Sequence, residues 1–538
     1  MVQTWSEERK AIEQFARHVD SVRSFPEASG RDLEAHALHV ARVTDLLRMV
    51  SDLPKRKRPP VGEWDALIGP LLYQLFVKGD DIDRYILADL WRKVLLEEGE
   101  VDGYLRTCAA VASSARNFYR LEEALEACRQ GREASMGRPS PALANLINME
   151  GIVHAYRGDY RECERSFRDA TLMVDALPEE GFPEWTRAPK AGFKNRVRLN
   201  AMEAYLRQVP SASAAERARC IDFARAILSD LEREPLSDSH RNFLVVNTAA
   251  LAIVEGRLRF AKSLLLPLTS RSRRDAPANL AFFAVHARLL SVIATMEGHP
   301  DTAFQWIRKA LREGIRYCRV GEEQDVLEQA LVVLGGIVDN RESPRHRALV
   351  KDMLKLLEDK DWYTGRSHSR GVSRLSVQLG EVLNETAGTR LDLRTLEVAG
   401  LLHDIGKLRT PWSLLNKIAP LGPSERDILK DHSPHGAQIL RRIGMEDIAA
   451  IVMSHHENMD GTGYPEGKPP DLMAAVVGIS DVVEAATTPT RRYKIPKDRF
   501  TLLEELTAGA GGRYHPAVVD ALRFLLEREG AMAPVSPG

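Results

Sequence analysis

Apolar positions recur three to four residues apart along nearly the whole chain, the spacing of helices that bury one face, and the alternating β-branched runs that mark strands are scarce. The pattern predicts an all-α chain. Its character changes part-way. Up to about residue 340, short apolar helices are punctuated by glycine turns. The stretches INMEGIVHAYRGDYRECERSFRDA (147–170), VNTAALAIVEGRLRFAKSLLLPL (246–268) and VHARLLSVIATMEGHPDTAFQWIRKA (285–310) each read as helix, glycine turn (Gly158, Gly256, Gly298), helix. The fifth residue past the glycine is small each time: Cys163, Ala261, Ala303. The ninth is large and apolar: Phe167, Leu265, Ile307. A small residue lets two helices approach, and a large one fills the groove between hairpins.

These hairpins resemble the tetratricopeptide repeat, a helix pair of about 34 residues. The first stretch matches best, since Gly151 and Ala170 are also in place, and a weaker fourth unit sits around YRLEEALEACRQGREA (119–134). The glycine turns are irregularly spaced, so insertions or divergent units are expected between them. The resemblance implies an α-solenoid of helix hairpins over residues 1–345, with a concave surface of the kind that binds a protein or peptide partner. His154, His240, His286 and His299 have no ligand-like companions there and read as surface or satisfied core histidines. A charged helix running into a polar turn, NRESPRHRALVKDMLKLLEDKDWYTGRSHS (340–369), marks the passage to a second domain, 346–538.

Composition narrows the partners. The chain has 538 residues, 44% of them hydrophobic and 28% charged, an ordinary globular balance. Its 75 Lys+Arg against 76 Asp+Glu give no electrostatic reason to expect a nucleic-acid polymer or a membrane surface. Cys108, Cys128, Cys163, Cys220 and Cys318 form no C-x-x-C pair, which fits reduced, buried thiols. No apolar run reaches the roughly 20 residues of a membrane helix, and MVQTWSEERKAIEQFARHVD is too charged for a signal peptide. A cytoplasmic location is expected.

The second region places ionisable residues where apolar helices stop. LEVAGLLHDIGKL (396–408) reads as a core helix ending at Ile405-Gly406 with His403 and Asp404 at its end; MEDIAAIVMSHHENMDG (445–461) ends in His455-His456; AAVVGISDVVEAA (474–486) carries Asp481 alone among apolar residues. Burying a carboxylate beside an imidazole costs several kcal/mol unless a cation compensates. Imidazole and carboxylate without thiolate suit Fe, Mn, Ni, Co or Zn. The candidates His368, His403, Asp404, His432, His455, His456 and Asp481 exceed what one tetrahedral ion can use, which argues for two divalent ions sharing a bridging carboxylate. Adjacent histidines on a helix point about 100° apart, so His455 and His456 would not share a face.

HDIGK (403–407), KDHSPHGAQIL (430–440), HHENMDGTGYP (455–465) and SDVVEA (480–485), preceded by YTGRSHS (363–369), resemble the HD-GYP family of HD metal-dependent phosphohydrolases. The resemblance covers about 180 residues, from about 355 to 530. It implies a compact helical bundle holding two metals, sometimes three, that hydrolyses cyclic di-GMP to linear pGpG and/or GMP. One metal would take His368, His403, Asp404 and Asp481; the other would take His432, His455 and His456, with Asp404 bridging. Thr364 stands where three-metal members carry an extra carboxylate, so two ions are expected, Fe or Mn foremost. The GRS before His368 departs from the usual spacing.

The resemblance also makes Asp404 and Lys407 catalytic and gives Lys407, Tyr464, Arg491 and Lys494 substrate contacts. Arg492 replaces the family's proline, and His515 replaces the acidic cap of its closing helix. His435 is not needed as a ligand. Glu457 and Asp460 read as groups that orient the imidazoles or fix the loop, Gly461 and Gly463 as the tight turn, and Pro465 as its stiff exit. Two cations would supply a hydroxide nucleophile at neutral pH for attack in line with the leaving 3′-oxygen. The alternatives are a catalytically weak cyclic di-GMP receptor or protein-interaction scaffold, and an HD hydrolase of another nucleotide. Regulation or tethering through the repeats is expected; the oligomeric state is left open.

Overall fold

The computed structural model describes the chain except residues 1–4, 23–29, 180–181, 183–188, 211, 272–276, 315–319, 336–343, 362–366, 418–419, 488–495 and 533–538. Among the described residues every regular element is a helix, and the one isolated β-bridge joins Ala510 and Tyr514. Two compact units divide the chain: Met1–Val326 with Lys417–Ala419, and Leu327–Asn416 with Pro420–Gly538. No helix among the described residues is long and apolar enough to cross a membrane.

The first unit is built of helix hairpins. Pro141–Arg157 and Tyr160–Ala176 flank Gly158, Asp238–Val254 and Leu258–Arg271 flank Gly256, and Pro277–Met296 and Pro300–Lys309 flank Gly298. The three glycines have φ of 87°, 76° and 73°, the left-handed conformation that ends a helix without strain only when no Cβ is present. Ser140 starts the first pair, its hydroxyl accepting from the Leu143 N–H at 3.2 Å with Pro141 following. Cys163, Ala261 and Ala303 are buried, as are Phe167, Leu265 and Ile307. A side chain at Gly151 would collide with the Phe167 ring, so the glycine there makes room for the large residue of its partner helix.

The irregular spacing has a structural cause. Lys190–Gln208 and Ala214–Leu231 form a pair between the first two glycine turns, and this pair lacks the glycine. Its second helix starts instead with a capping box between Ser213 and Glu216. Met202, Leu206 and Ala224 of that pair pack with Leu251 of the next. Ala252, Ile253, Ala261, Leu265, Leu289, Leu290 and Ile293 then carry the core onward. The weaker unit near 119–134 is also a hairpin, Val101–Asn117 and Leu121–Ser135, with Tyr119 at φ 61° in the turn where the others use glycine. Cys108, Cys128, Cys163 and Cys220 are free and buried; Cys318 lies outside the described residues.

In the second unit, the helices His368–Thr386, Leu393–Leu402, His432–Arg442, Glu446–Ser454 and Leu472–Thr487 enclose a core that includes Leu379, Leu383, Leu396, Leu402, Leu440, Val452 and Val476. Two glycines let main chain meet main chain. A Cβ on Gly406 would run into the carbonyl of His432, and one on Gly478 into the carbonyl of His455. Each contact fixes a histidine from behind. The core helix before His403 stops at Leu402, earlier than the apolar pattern suggests, and the chain tightens into a 3₁₀ helix over Ile405–Arg409. That tightening turns Asp404 and Lys407 into the same space as His403.

Candidate metal centre

Three helices end by presenting a histidine. His403 Nδ1 lies 2.9 Å from the Gly400 carbonyl, His432 Nδ1 2.7 Å from that of Leu429, and His455 Nδ1 2.7 Å from that of Val452. Each carbonyl is three residues upstream, in the last turn of a helix, where backbone acceptors lack a helical partner. A carbonyl can only accept, so Nδ1 carries the proton and Nε2 keeps its lone pair. Nε2 of His403 and of His455 is buried with no hydrogen-bond partner. Such atoms are costly to bury unless something else binds them.

The remaining groups meet these lone pairs. His368 opens its helix and lies 3.0 Å from Asp481 Oδ1, Asp481 being in the third turn of Leu472–Thr487. Asp404 faces both ways. Its Oδ2 is 3.3 Å from His403 Nε2 and 3.9 Å from His368 Nε2, while its Oδ1 is 3.5 Å from His432 Nε2. Potential ligand atoms fall into two groups, His368–His403–Asp481 and His432–His455–His456, each within 4.8 Å internally. Both lie among the residues singled out in the sequence, and Asp404 stands between them. The donor set is imidazole nitrogen and carboxylate oxygen with no thiolate, which fits a divalent first-row metal.

Electrostatics keeps three of the imidazoles neutral and both carboxylates ionised, and sets His403 apart. Burial lowers the pKa values of His432, His455 and His456, the last to about 3, so these imidazoles are neutral. Burial acts on His403 in the same direction, but Asp404 and Asp481 outweigh it and raise the group to about 9. A cation in that position would take the proton's place. Asp404, despite its burial, is held well below the usual carboxylate range by Lys407 and His403. Asp481 is likewise lowered against burial, chiefly by the His368 hydrogen bond and the His403 charge.

Lys407 is buried between two carboxylates, 2.7 Å from Asp404 Oδ2 and 3.2 Å from Asp361 Oδ2. Asp361, 4% exposed, was not singled out in the sequence. It follows the helix Pro344–Lys360 with no periodic or motif signal, and its role emerges only through the lysine. The segment is pinned there: Lys360 Nζ donates to the Leu408 carbonyl at 2.8 Å, and Asn416 Nδ2 to the Lys360 carbonyl at 2.7 Å.

The helix before His455-His456 stops at Ser454, and both histidines lie in the turn beyond it. Their ring centroids are 4.0 Å apart with the ring planes at 40°. The half-buried Tyr464 ring stacks on His456 at 4.9 Å and 28°. Glu457 holds the loop that carries it, accepting from the backbone N–H groups of Glu466, Gly467 and Lys468 at 2.6, 3.0 and 3.2 Å. Asp460 closes the turn by accepting from the Thr462 N–H at 2.9 Å. Arg491 and Lys494 lie outside the described residues, as does Thr364. His435 is in neither donor group.

The comparisons with known proteins fall on this region. Residues 365–486 match the HD domain family. A Thermotoga maritima protein named cyclic di-GMP phosphodiesterase is 30% identical over 184 residues, covering 33% of this chain and 50% of that protein. The cyclic di-GMP phosphodiesterase response regulator RpfG of Xanthomonas campestris pv. campestris is 32% identical over 202 residues, 36% of this chain and 51% of the relative. A Vibrio cholerae protein named 3'3'-cGAMP-specific phosphodiesterase 2 is 31% identical over 192 residues, 35% of each. The chain thus spans about a third to a half of the length of these curated relatives. The gathered histidines and aspartates thus lie in a region, residues 365–486, that matches the HD domain family, in a chain similar to proteins named as cyclic-dinucleotide phosphodiesterases.

Proposed function

We propose that the HD domain is a dinuclear metal-dependent phosphodiesterase that hydrolyses cyclic di-GMP to linear pGpG and/or GMP. One observation carries the reading: the two oxygens of Asp404 face two different histidine groups, as a carboxylate bridging two cations must. His368, His403 and Asp481 would hold one ion, and His432, His455 and His456 the other, with Fe or Mn as the first choices. Bound divalent ions supply a nucleophile at neutral pH and charge neutralisation at a phosphate.

The chain's own groups prepare the site. The Gly400, Leu429 and Val452 carbonyls hold three imidazoles with Nε2 inward. Lys407, oriented by Asp361, keeps Asp404 ionised and leaves a positive charge beside the place a phosphate would occupy. Tyr464 stacks on His456 and would be the aromatic group nearest a bound nucleotide. A protein or peptide partner on the helical repeats would regulate or tether this activity, and the overall charge balance gives no electrostatic reason to expect a nucleic-acid polymer.

The test is product identification. The full chain is incubated with cyclic di-GMP and Mn(II), or anaerobically with Fe(II), and the products are identified by mass. Linear dinucleotide or GMP is expected; an untouched cyclic dinucleotide under both metals would overturn the reading. A second reading rests on the Vibrio cholerae relatives named for 3'3'-cGAMP. Competing the two cyclic dinucleotides in one reaction gives their kcat/KM ratio and decides which is the better substrate.

A further inference from the structure

Imidazole and carboxylates converge a second time, in the N-terminal unit. His36 stands on the helix Gly30–Asp52. Asp80 caps the helix Asp81–Glu98, and Asp83 lies in that helix's first turn. Asp80 Oδ1 accepts from the Asp83 N–H at 3.2 Å, while its Oδ2 lies 2.8 Å from His36 Nε2. Asp83 Oδ2 is 3.1 Å from the same nitrogen. The three residues are only 6%, 0% and 5% exposed.

One imidazole nitrogen cannot satisfy two carboxylates. Two buried carboxylates opposite one imidazole leave excess negative charge beside an aromatic wall, where the buried Phe15 ring lies 5.2 Å from that of His36. Asp83 Oδ1 adds an independent sign, being buried with no hydrogen-bond partner. A nitrogen and two carboxylate oxygens, all within 4.8 Å of one another, use the same donor types as the His368–His403–Asp481 group, with a carboxylate in place of one imidazole. The His–Asp spacing also matches, since His368 lies 3.0 Å from Asp481.

We propose that His36, Asp80 and Asp83 form a divalent-cation site separate from the HD domain. His36 Nε2 and one oxygen from each aspartate are three ligands, and Asp83 Oδ1 is available as a fourth. Two carboxylates balance the charge of a divalent ion, and N/O donors without thiolate suit Zn(II) or Mn(II). The ion would tie Gly30–Asp52 to the start of Asp81–Glu98, a structural cross-link within the unit. Burial and the Asp80 charge raise the Asp83 carboxyl above its usual range, so a proton there is one competing compensator. Two further compensators compete. One is a proton on His36, which the two aspartates raise to about 9 against the effect of burial. The other is Lys417, which groups with this unit and whose charge acts on Asp83. His36 is separated from the aspartates by 44 and 47 residues, which hides the cluster from any local motif.

Metal counting separates these possibilities. The full chain carrying His403→Ala and Asp404→Ala is stripped with chelator, loaded with Zn(II), dialysed and analysed by mass spectrometry for ions per chain. Asp83→Asn or His36→Gln is then added to this parent, and folding is checked by circular dichroism. The expected result is one ion fewer per chain in a folded variant, with loss of one part of the Zn(II)-induced rise in Tm. Equal counts in parent and folded variants would overturn the site, as would a parent that retains no ion at all.

Discussion

The glycine-turn hairpins between Pro141 and Lys309 and the HD core bury their residues by opposite means. In the hairpins, small residues make room for large apolar side chains: Gly151 under Phe167, and Cys163, Ala261 and Ala303 where helices approach. In the HD core Gly380 likewise makes room for Leu396, but the glycines behind two histidines make room for backbone: Gly406 against the His432 carbonyl and Gly478 against that of His455. What is buried there is a set of imidazoles and carboxylates with orphaned atoms. Apolar burial stabilises by itself, at about 1.5–3 kcal/mol per large side chain. Buried lone pairs cost free energy until a ligand meets them. Orphaned atoms occur in the hairpins too, at Tyr160 Oη and Arg288 Nε, but in the HD core His403 Nε2 and His455 Nε2 lie in adjoining groups of candidate ligands, an arrangement suited to a cation.

Breaking each region should expose that difference. The largest effect is expected from His403→Ala combined with Asp404→Ala: turnover of cyclic di-GMP falls to background while helical circular dichroism persists. Coordinated loss of both would point to a folding defect instead. Next comes Phe167→Ala, which opens a cavity in the hairpins and should cost about 3–5 kcal/mol. Denaturant titration measures it, and ions bound by the HD domain should stay unchanged.

Acid gives a third contrast. Burial lowers His286, on the helix Pro277–Met296, to about 4. Between pH 6.5 and 4 the unfolded chain takes up this proton and the folded chain does not, so stability falls with pH across that window, by about 3 kcal/mol in all. His286→Leu should flatten this part of the profile in urea titrations at stepped pH. The smallest effect is expected at Glu457→Gln, which weakens three N–H contacts without emptying the loop. Because Glu457 holds the loop and not an imidazole, metal affinity measured by competition with a chelator should change less than about 10-fold, the lower end for groups that orient ligands.

The two regions also differ in what their sequence discloses. The hairpins were legible because glycine, small and large positions recur at fixed offsets; Gly158, Gly256 and Gly298 all occupy the turns their spacing implies. The pair Lys190–Gln208 and Ala214–Leu231 was not, because its turn carries no glycine and its signal is a Ser213–Glu216 capping box. In the HD region, His403, Asp404, His455, His456 and Asp481 stood out as ionisable residues at the ends or centres of apolar helices. The partner of Lys407 did not: Asp361 acquires its position through a tertiary contact, and nothing in its neighbourhood in the chain announces it. His36, Asp80 and Asp83 were hidden for the same reason.

The central claim is that Asp404 bridges two ions, and electron paramagnetic resonance of the Mn(II)-loaded full chain tests it most directly. Two ions joined by one carboxylate are magnetically coupled, so the wild-type chain should give an exchange-coupled signal that Asp404→Ala converts to the pattern of isolated Mn(II). A wild-type spectrum showing only isolated Mn(II) at saturating metal would contradict the account.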